Sequence, residues 1–500
     1  MSYQLFWGDL HSHCSISYGL GTVAPALARA RQQLDFCSIT GHAFWPDMPT
    51  DRDRYGEIID YHNEGFSRLA GNWSELLENQ EQGSHANTFL ALPSYEWHSL
   101  KYGDHNVYAA GPDLPLRDAP DLPALRQLAG EIDAIVIPHH IGYSAGFRGI
   151  DWQHFLDDRS PFVEIFSLHG CSESEDAQFP MLHDMGPRDS AGTARAGWRA
   201  GHRFGVVGGT DHHGAYPGSH GDGRMGVFAT ELTRDSLWEA FNARRVLAAT
   251  GDRIDARLFV NDAWVGETIR SEGRRHLRVD VRGIDSLDRV EVLKNERVLR
   301  RLFPETVDQP ASEGAYRLRI TWGWGRKDEP VSWQFRFSLS DGVIRNVDSC
   351  FSGQSVAAPQ GVAGHTAAAD EDDLPHAILE RNDQNCSWRS TTSGNLTLRH
   401  ATTQAVSFEL ESSPRGRIVL DVNGQRFEHS LEELSTGGRS HFLRGWLSEA
   451  VQVGPCVPLS RCWVATEFFD DPEQDVDFYR LRVAQQNGQW AWLTPIWAER

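Results

Sequence analysis

Basic residues are the scarce class in this chain: 48 Lys and Arg stand against 69 Asp and Glu, giving a formal net charge of -21. Nucleic acid and anionic membranes are recognised by clustered Lys and Arg, so neither is an expected partner. Long apolar runs are also missing. No stretch approaches the roughly 18 apolar residues of a membrane span. The opening MSYQLFWGDLHSH has no basic region followed by an apolar run, so it does not read as a secretory leader. The seven cysteines (Cys14, Cys37, Cys171, Cys350, Cys386, Cys456 and Cys462) are scattered, odd in number and without a CxxC spacing. That pattern predicts a reduced cytoplasmic protein with free thiols, Cys456 and Cys462 being the pair that could bridge. There is no fixed-period repeat and no GxSxG nucleophile elbow.

What is present divides the 500 residues into two textures. Up to about residue 250, short apolar runs alternate with helical patterns. The runs are Tyr3–Trp7, Phe36–Ile39, Phe89–Leu92, Ile135–Ile137, Phe162–Phe166 and Phe204–Val207, each short enough for a buried strand. Val23–Leu34, Arg54–Asn79, Leu122–Leu128 and Asp235–Arg245 carry helical spacing between them. Such alternation predicts a parallel sheet or barrel. From residue 251, segments such as ARLFVND, HLRVDVRG, RVEVLKN and WQFRFSLSDG alternate apolar with polar residues, the pattern of an antiparallel sandwich. Residues 351–376 are rich in Ala, Gly and Ser and read as a linker or loop. Strand-like runs resume over 377–500 with NLTLRH, AVSFELE, RIVLDVNG, CWVATEFF and YRLRVAQ. The expected fold class is therefore α/β plus all-β, with domains 1–250 and 251–350, a linker at 351–376, and a β-rich 377–500 that completes the sandwich.

Of the 22 histidines, 16 lie in the first 220 residues. Their placement is more informative than their number. The six apolar runs are followed in turn by Asp9, His11 and His13; by His42; by Glu96; by His139 and His140; by His169; and by Asp211, His212 and His213. In a parallel βα barrel the C-terminal strand ends converge on one face, where such enzymes carry their active sites. Residues two apart on an extended segment point the same way, which pairs His11 with His13 and Asp211 with His213. A carboxylate such as Glu96 offers one oxygen to each of two cations. Imidazole with carboxylate suits zinc, manganese or iron. Six strand ends carrying ligand-type residues predict a metal site.

These residues resemble a known family. Gly8-Asp9-Leu10-His11-Ser12-His13 looks like the opening motif of the polymerase and histidinol phosphatase (PHP) superfamily. Ile39-Thr40-Gly41-His42, Tyr95-Glu96, Pro138-His139-His140 and Gly209-Thr210-Asp211-His212-His213 resemble its later motifs, in the same order. Phe6-Trp7-Gly8-Asp9, Tyr95-Glu96-Trp97, Gly103-Asp104-His105-Asn106-Val107-Tyr108, Leu237-Trp238-Glu239-Ala240 and Tyr479-Arg480-Leu481-Arg482-Val483 are similar to one uncharacterised branch, DUF3604. The resemblance implies a distorted (β/α)7 barrel with two metal ions, or three. One ion would take His11, His13, Glu96 and Asp211. A second would share Glu96 and add His105 with His139 or His140. A third would use His42 and His213 with an Asp or His just after the first motif, where Ser15–Gly19 supplies neither.

Such a site implies a hydrolase in which metal-activated water cleaves an ester, a phosphoester first, with carboxyl esters, carbamates and amides as alternatives. A metal-stabilised, non-catalytic binding protein is the other class of reading. His42, His169, His212 and His213 are the candidates for protonating the leaving group. Arg148 and Tyr143, in the loop Gly142–Gly149, and Arg224, after the DHH motif, are the candidate substrate contacts. The expected partner is a small-molecule ester, and a homo-oligomer fits the same picture. The β-rich half is expected to pack against the barrel and complete its pocket or an oligomer interface.

Overall fold

In a computed structural model, residues 3–183, 185–304, 314–323, 330–353, 374–392, 403–446 and 448–500 are described. The first half is mixed α/β. Strands Gln4–Asp9, Phe36–Ser38 and Leu90–Leu92 lie side by side and parallel. Each is almost wholly apolar, as strands covered on both faces must be. Helices Val23–Ala30, Arg52–Gln82, Leu122–Glu131 and Arg234–Asn242 correspond to the four helical patterns. Asp51, Asp121 and Thr233 cap the last three by accepting from a backbone N–H three residues on. The long helix bends at Asn72, whose φ of -119° is not helical.

The strands do not alternate singly with helices. After Phe36–Ser38 the chain breaks at Thr40 and re-enters a second sheet as Gly41–Phe44. After Leu90–Leu92 it breaks at Pro93 and re-enters the same second sheet as Ser94–Trp97. His105–Tyr108 and Ile135–Pro138 complete that sheet, and both of its later pairings are antiparallel. Gly205–Gly208 and Phe162–Ser167 pair in parallel in a third. Hydrogen bonding among the described residues thus divides the strands between sheets and does not close one continuous (β/α)7 ladder. The first half is mixed α/β with several sheets.

The second half is antiparallel, as its alternating pattern predicts, except that Thr268–Arg270 runs parallel to Ile496–Glu499. Asp255–Val260, Arg275–Arg282 and Trp463–Asp470 form one sheet with Ala263–Trp264. Val331–Cys350, Gln404–Val422, Gly314–Gly323 and Ala450–Pro458 are the centre of an eight-stranded one. Residues 354–373 of the expected linker and the run NLTLRH at 395–400 lie outside the described residues. All seven cysteines are buried free thiols, Cys456 and Cys462 included. No described helix is long and apolar enough to cross a membrane.

Hydrogen bonding crosses residue 250. Gln4–Asp9 pairs with Arg224–Ala229, that strand with Val246–Ala249, and Val246–Ala249 with Trp490–Leu493 near the end of the chain. Val476–Gln485 and Ile496–Glu499 continue the same eleven-stranded sheet. The junction is fastened by a buried ion cluster. Arg480 binds Glu296 through two bonds of 2.7 Å and Glu173 through one of 2.6 Å. Trp492 Nε1 donates to the other Glu173 oxygen at 2.8 Å. Burial disfavours charge on Glu173, and the Arg480 and Arg482 guanidiniums overcome it, so its pKa lies below the usual value. Removing Arg480 leaves Glu296 with Arg195 at 3.6 Å and Glu173 with Arg482 at 3.4 Å, weaker partners for two buried carboxylates. Arg480→Ala is expected to lower stability by about 3–5 kcal/mol, read from urea midpoints at unchanged slope. A loss under about 1 kcal/mol, the ordinary worth of an exposed pair, would show that the cluster does not fasten the junction.

Candidate metal centre

Two loops of the first half are zipped together by backbone bonds. Asp211 N donates to the His11 carbonyl at 2.7 Å, and His13 N to the His212 carbonyl at 2.9 Å. Asp9 pins the pair. Its Oδ1 accepts from the N–H groups of His11 and Thr210 at 3.0 Å each. Its Oδ2 accepts from the Thr210 hydroxyl at 2.6 Å and the Gly218 N–H at 2.7 Å. A carboxylate with four donors is satisfied within the protein, so Asp9 holds the loops in place.

Facing these loops is the second sheet. His42 and Glu96 are direct register partners on its parallel pair, and His42 Nδ1 lies 2.9 Å from Glu96 Oε2. Glu96 is the hub of the centre. The same Oε2 is 3.5 Å from His13 Nε2 and 3.8 Å from His11 Nε2, while Oε1 is 3.2 Å from His139 Nε2 and 3.3 Å from His98 Nδ1. Asp211 mirrors it from the zipped loops: Oδ1 lies 3.0 Å from His13 Nε2 and 3.4 Å from His11 Nε2, and Oδ2 is 2.9 Å from His169 Nε2. All of these side chains are buried.

The donors group as metal sites do. His11, His13 and Glu96 lie together; so do His11, His139 and Asp211; His13, His42 and His213; His42, Glu96 and His98; and Glu96, Asp104, His139 and His140. Within each group the ligand atoms are all within 4.8 Å of one another. His11 Nε2, His13 Nδ1, Glu96 Oε2, both nitrogens of His139 and His140 Nδ1 are buried with no hydrogen-bond partner. Buried polar atoms are nearly always paired, so orphans concentrated at one place are donors kept for a cation. The residues present therefore fit a divalent metal centre of imidazole and carboxylate ligands.

The electrostatics agree. Burial opposes charge on Glu96 and Asp211, yet the imidazoles around them hold both carboxyls well below the usual range. Burial and the neighbouring His13 keep His42 and His213 well below the usual imidazole value. His139 is depressed by burial and by His11. These imidazoles stay neutral, as metal ligands must. His11 departs from them. Burial opposes its charge, but Asp211 and Glu164 override this and raise it well above the usual value. Its Nδ1 is 2.8 Å from Glu164 Oε2, the outer carboxylate that orients a ligating imidazole. Gly209 makes that contact sterically feasible: a Cβ there would lie 2.4 Å from Glu164 Oε2 and 2.8 Å from the His11 Cβ.

The structure brings His11, His13, His42, Glu96, His139, His140, Asp211 and His213 into one cluster. It departs from the sequence reading at three places. His105 gives its Nδ1 to the Gly103 carbonyl at 2.9 Å and packs on Trp97; the donor grouped with Glu96, His139 and His140 is its neighbour Asp104. Arg148 turns inward to Asp104 at 2.6 Å and His98 at 2.7 Å instead of into an open pocket. Arg224 is fully buried and bonds Gly218 O and Gln33 Oε1, which makes it a brace for the loop after the DHH motif. Where the resemblance expects a ligand after His13, Tyr18 lies flat on His42 at 3.6 Å between centroids. Tyr143 sits beside His169, its hydroxyl 2.7 Å from Nδ1.

Three residues escaped the sequence reading, though each left a trace there. His98 follows Glu96 by two, the same spacing that ties His11 to His13. Asp104 directly precedes the strand of His105. Glu164 is a lone charge in the apolar strand FVEIFS.

Residues 209–279, which contain Asp211, His213 and Arg224, match the model of a family described as a protein of unknown function, DUF3604. An uncharacterized protein of Chlamydia pneumoniae is 30% identical over 176 residues, or 32% of this chain and 28% of that protein. One from Chlamydia muridarum is 28% identical over 174 residues, 31% of this chain and 28% of that protein. The chain thus matches little more than a quarter of the length of these relatives. A crystal structure from Bacteroides vulgatus, of a two-domain protein containing a predicted PHP-like metal-dependent phosphoesterase, covers 86% of this chain and 95% of its own at 13% identity. Its TM-score of 0.31 is too low to define the fold.

Loss of the carboxylate behind His11 should loosen the centre without removing a ligand. Glu164→Ala is expected to weaken metal affinity about 10- to 100-fold in a chelator competition. Unchanged affinity would mean that His11 does not bind metal through the ring Glu164 orients.

Proposed function

We propose that this protein is a metal-dependent hydrolase of esters, built on a distorted (β/α)7 frame of the PHP type. The observation that carries the reading is Glu96, a buried carboxylate whose two oxygens face different sets of imidazoles. Divalent cations bound there would polarise the ester and lower the pKa of water toward neutrality.

The protein's own side chains supply the rest. His11, His13, Glu96 and Asp211 would hold one ion, and Glu96 with His139 and His140 a second. His42 and His213, beside His13, are grouped with the metal donors, and His212 accepts the Gly214 N–H at its Nδ1; His169, which faces Asp211, is the candidate assigned to the proton. As an imidazolium, His169 donates Nε2–H to Asp211 and Nδ1–H to the Tyr143 hydroxyl oxygen, so a transferable proton sits at Nε2 on the inner edge of the cluster. From Nε2 the imidazolium passes that proton to the departing oxygen and is left neutral, its remaining Nδ1–H held by Tyr143, which fixes the ring.

Phosphoesters are the first substrate class, because adjacent cations stabilise the charge that develops on phosphoryl oxygens. Carboxyl esters and carbamates are the second reading. It is favoured by the commitment of Arg148 and Arg224 to protein acceptors, which leaves neither to clamp an anion.

The test is a metal analysis of the purified chain, with assays on aryl phosphate mono- and diesters, aryl carboxyl esters and carbamates. Glu96→Ala should lower bound metal and abolish cleavage. A metal-loaded protein that cleaves none of these esters would remove the hydrolase reading. His169→Ala should cost about 10²–10⁴-fold on alkyl esters, whose leaving groups need a proton, and far less on nitrophenyl esters. Equal losses on both would place the proton donor elsewhere.

A further inference from the structure

Arg148 stands on a loop in the left-handed backbone region, at φ +67°, where a non-glycine residue is strained. The guanidinium it delivers is mostly buried, with 16% of the side chain exposed, and stacks over Trp45 at 5.1 Å. Nε donates to Asp104 Oδ2 at 2.6 Å, and Nη2 reaches both that oxygen and His98 Nδ1. Asp104 and His98 are completely buried. Asp104 stands in a donor group with Glu96, His139 and His140, and His98 stands in one with His42 and Glu96. By position alone, both are metal ligands.

The chemistry of the guanidinium says otherwise. Arginine only donates and keeps its charge. His98 Nδ1 lies 2.7 Å from Nη2, nearer than its 3.2 Å to Asp104 Oδ2 and 3.3 Å to Glu96 Oε1, and a hydrogen bond from a group that only donates requires a lone pair there. The hydrogen of the neutral ring then sits on Nε2, which is the nitrogen that faces His42 at 3.2 Å. His98 cannot offer that nitrogen to a metal without bringing two N–H groups together at Arg148. Asp104 is similarly occupied. One oxygen accepts the Ser99 N–H at 3.0 Å and the other takes the guanidinium. Burial disfavours its charge, but Arg148 and His98 hold its carboxyl well below the usual range.

Building on the metal-centre reading above, we propose that Arg148 is a resident cation of the centre. It fills the corner bounded by Asp104 and His98, withholds both from divalent cations, and so limits how many ions the chain binds. Asp104 and His98 are then positioning residues for Arg148, Glu96 and His140, and the guanidinium takes no part in gripping substrate. Without it, Asp104 and His98, 3.2 Å apart, are released as donors for one further ion.

Metal stoichiometry tests this without reference to activity. The full-length chain and its variants are saturated with manganese(II), gel-filtered and analysed for metal per folded chain. Arg148→Ala should carry one more ion than the unaltered protein. Asp104→Asn should carry the same number as the unaltered protein, and so should the double variant. No gain in Arg148→Ala, or a gain that persists in the double variant, overturns the proposal. So does the loss of an ion in Asp104→Asn, which would make Asp104 a ligand already. If Arg148→Ala does not fold, Arg148→Gln and Asp104→Asn decide. An unaltered chain that binds no metal would instead overturn the metal-centre reading itself.

Discussion

Glu96 is a carboxylate removed almost entirely from water, and the centre is organised around making that tolerable. An unpaired ionised group in a low-dielectric interior carries a penalty of several kcal/mol, so it persists only with compensating partners. Here His11, His13, His42, His98 and His139 all approach its two oxygens. Those imidazoles are themselves pushed together, and burial with a neighbouring imidazole keeps His42 and His139 neutral. Each neutral imidazole has one hydrogen to give, and so many rings crowded on two carboxylates form an arrangement that a cation relieves. The backbone is also left-handed at His140, Arg148 and Asp211, three non-glycine residues at or beside the centre.

The shell around the cluster is built to hold geometry. Asp9 spends four hydrogen bonds on fixing two loops, which aligns His11 and His13 opposite Asp211. Glu164 orients His11 from behind, and Gly209 gives it room to do so. His169 bridges Asp211 and Tyr143. These outer contacts couple the inner donors, so a change one layer away reaches the ligands themselves.

The C-terminal half contributes through the frame. Its last strands extend the sheet that begins at residue 4, and Arg480 locks them to Glu173 in the first half. It also touches the loop behind the DHH motif. His220 N donates to Phe351 O, and the Gly353 N–H donates to the Ser219 hydroxyl. A β-rich half that looks separate in sequence is therefore part of what keeps the His212–Gly223 loop in place.

By itself the sequence determined the class of elements, the order of the ligand-type residues and the chemistry they can support. Apolar runs, helical spacing and alternation are local properties, and they located most strands and all four longer helices. The strand breaks at Thr40 and Pro93 were not legible, because the halves on either side look continuous and only their pairing partners differ. Two-residue spacing placed His11 with His13 and Asp211 with His213, since it fixes which side of a strand a residue occupies. It does not fix what lies opposite. Only the tertiary structure decided that Asp104 and not His105 joins Glu96, that Arg148 and Arg224 face protein acceptors, and that strand Trp490–Leu493 closes on Val246–Ala249. Each of these is a choice between neighbours of similar chemistry, made by contacts between segments far apart in the chain.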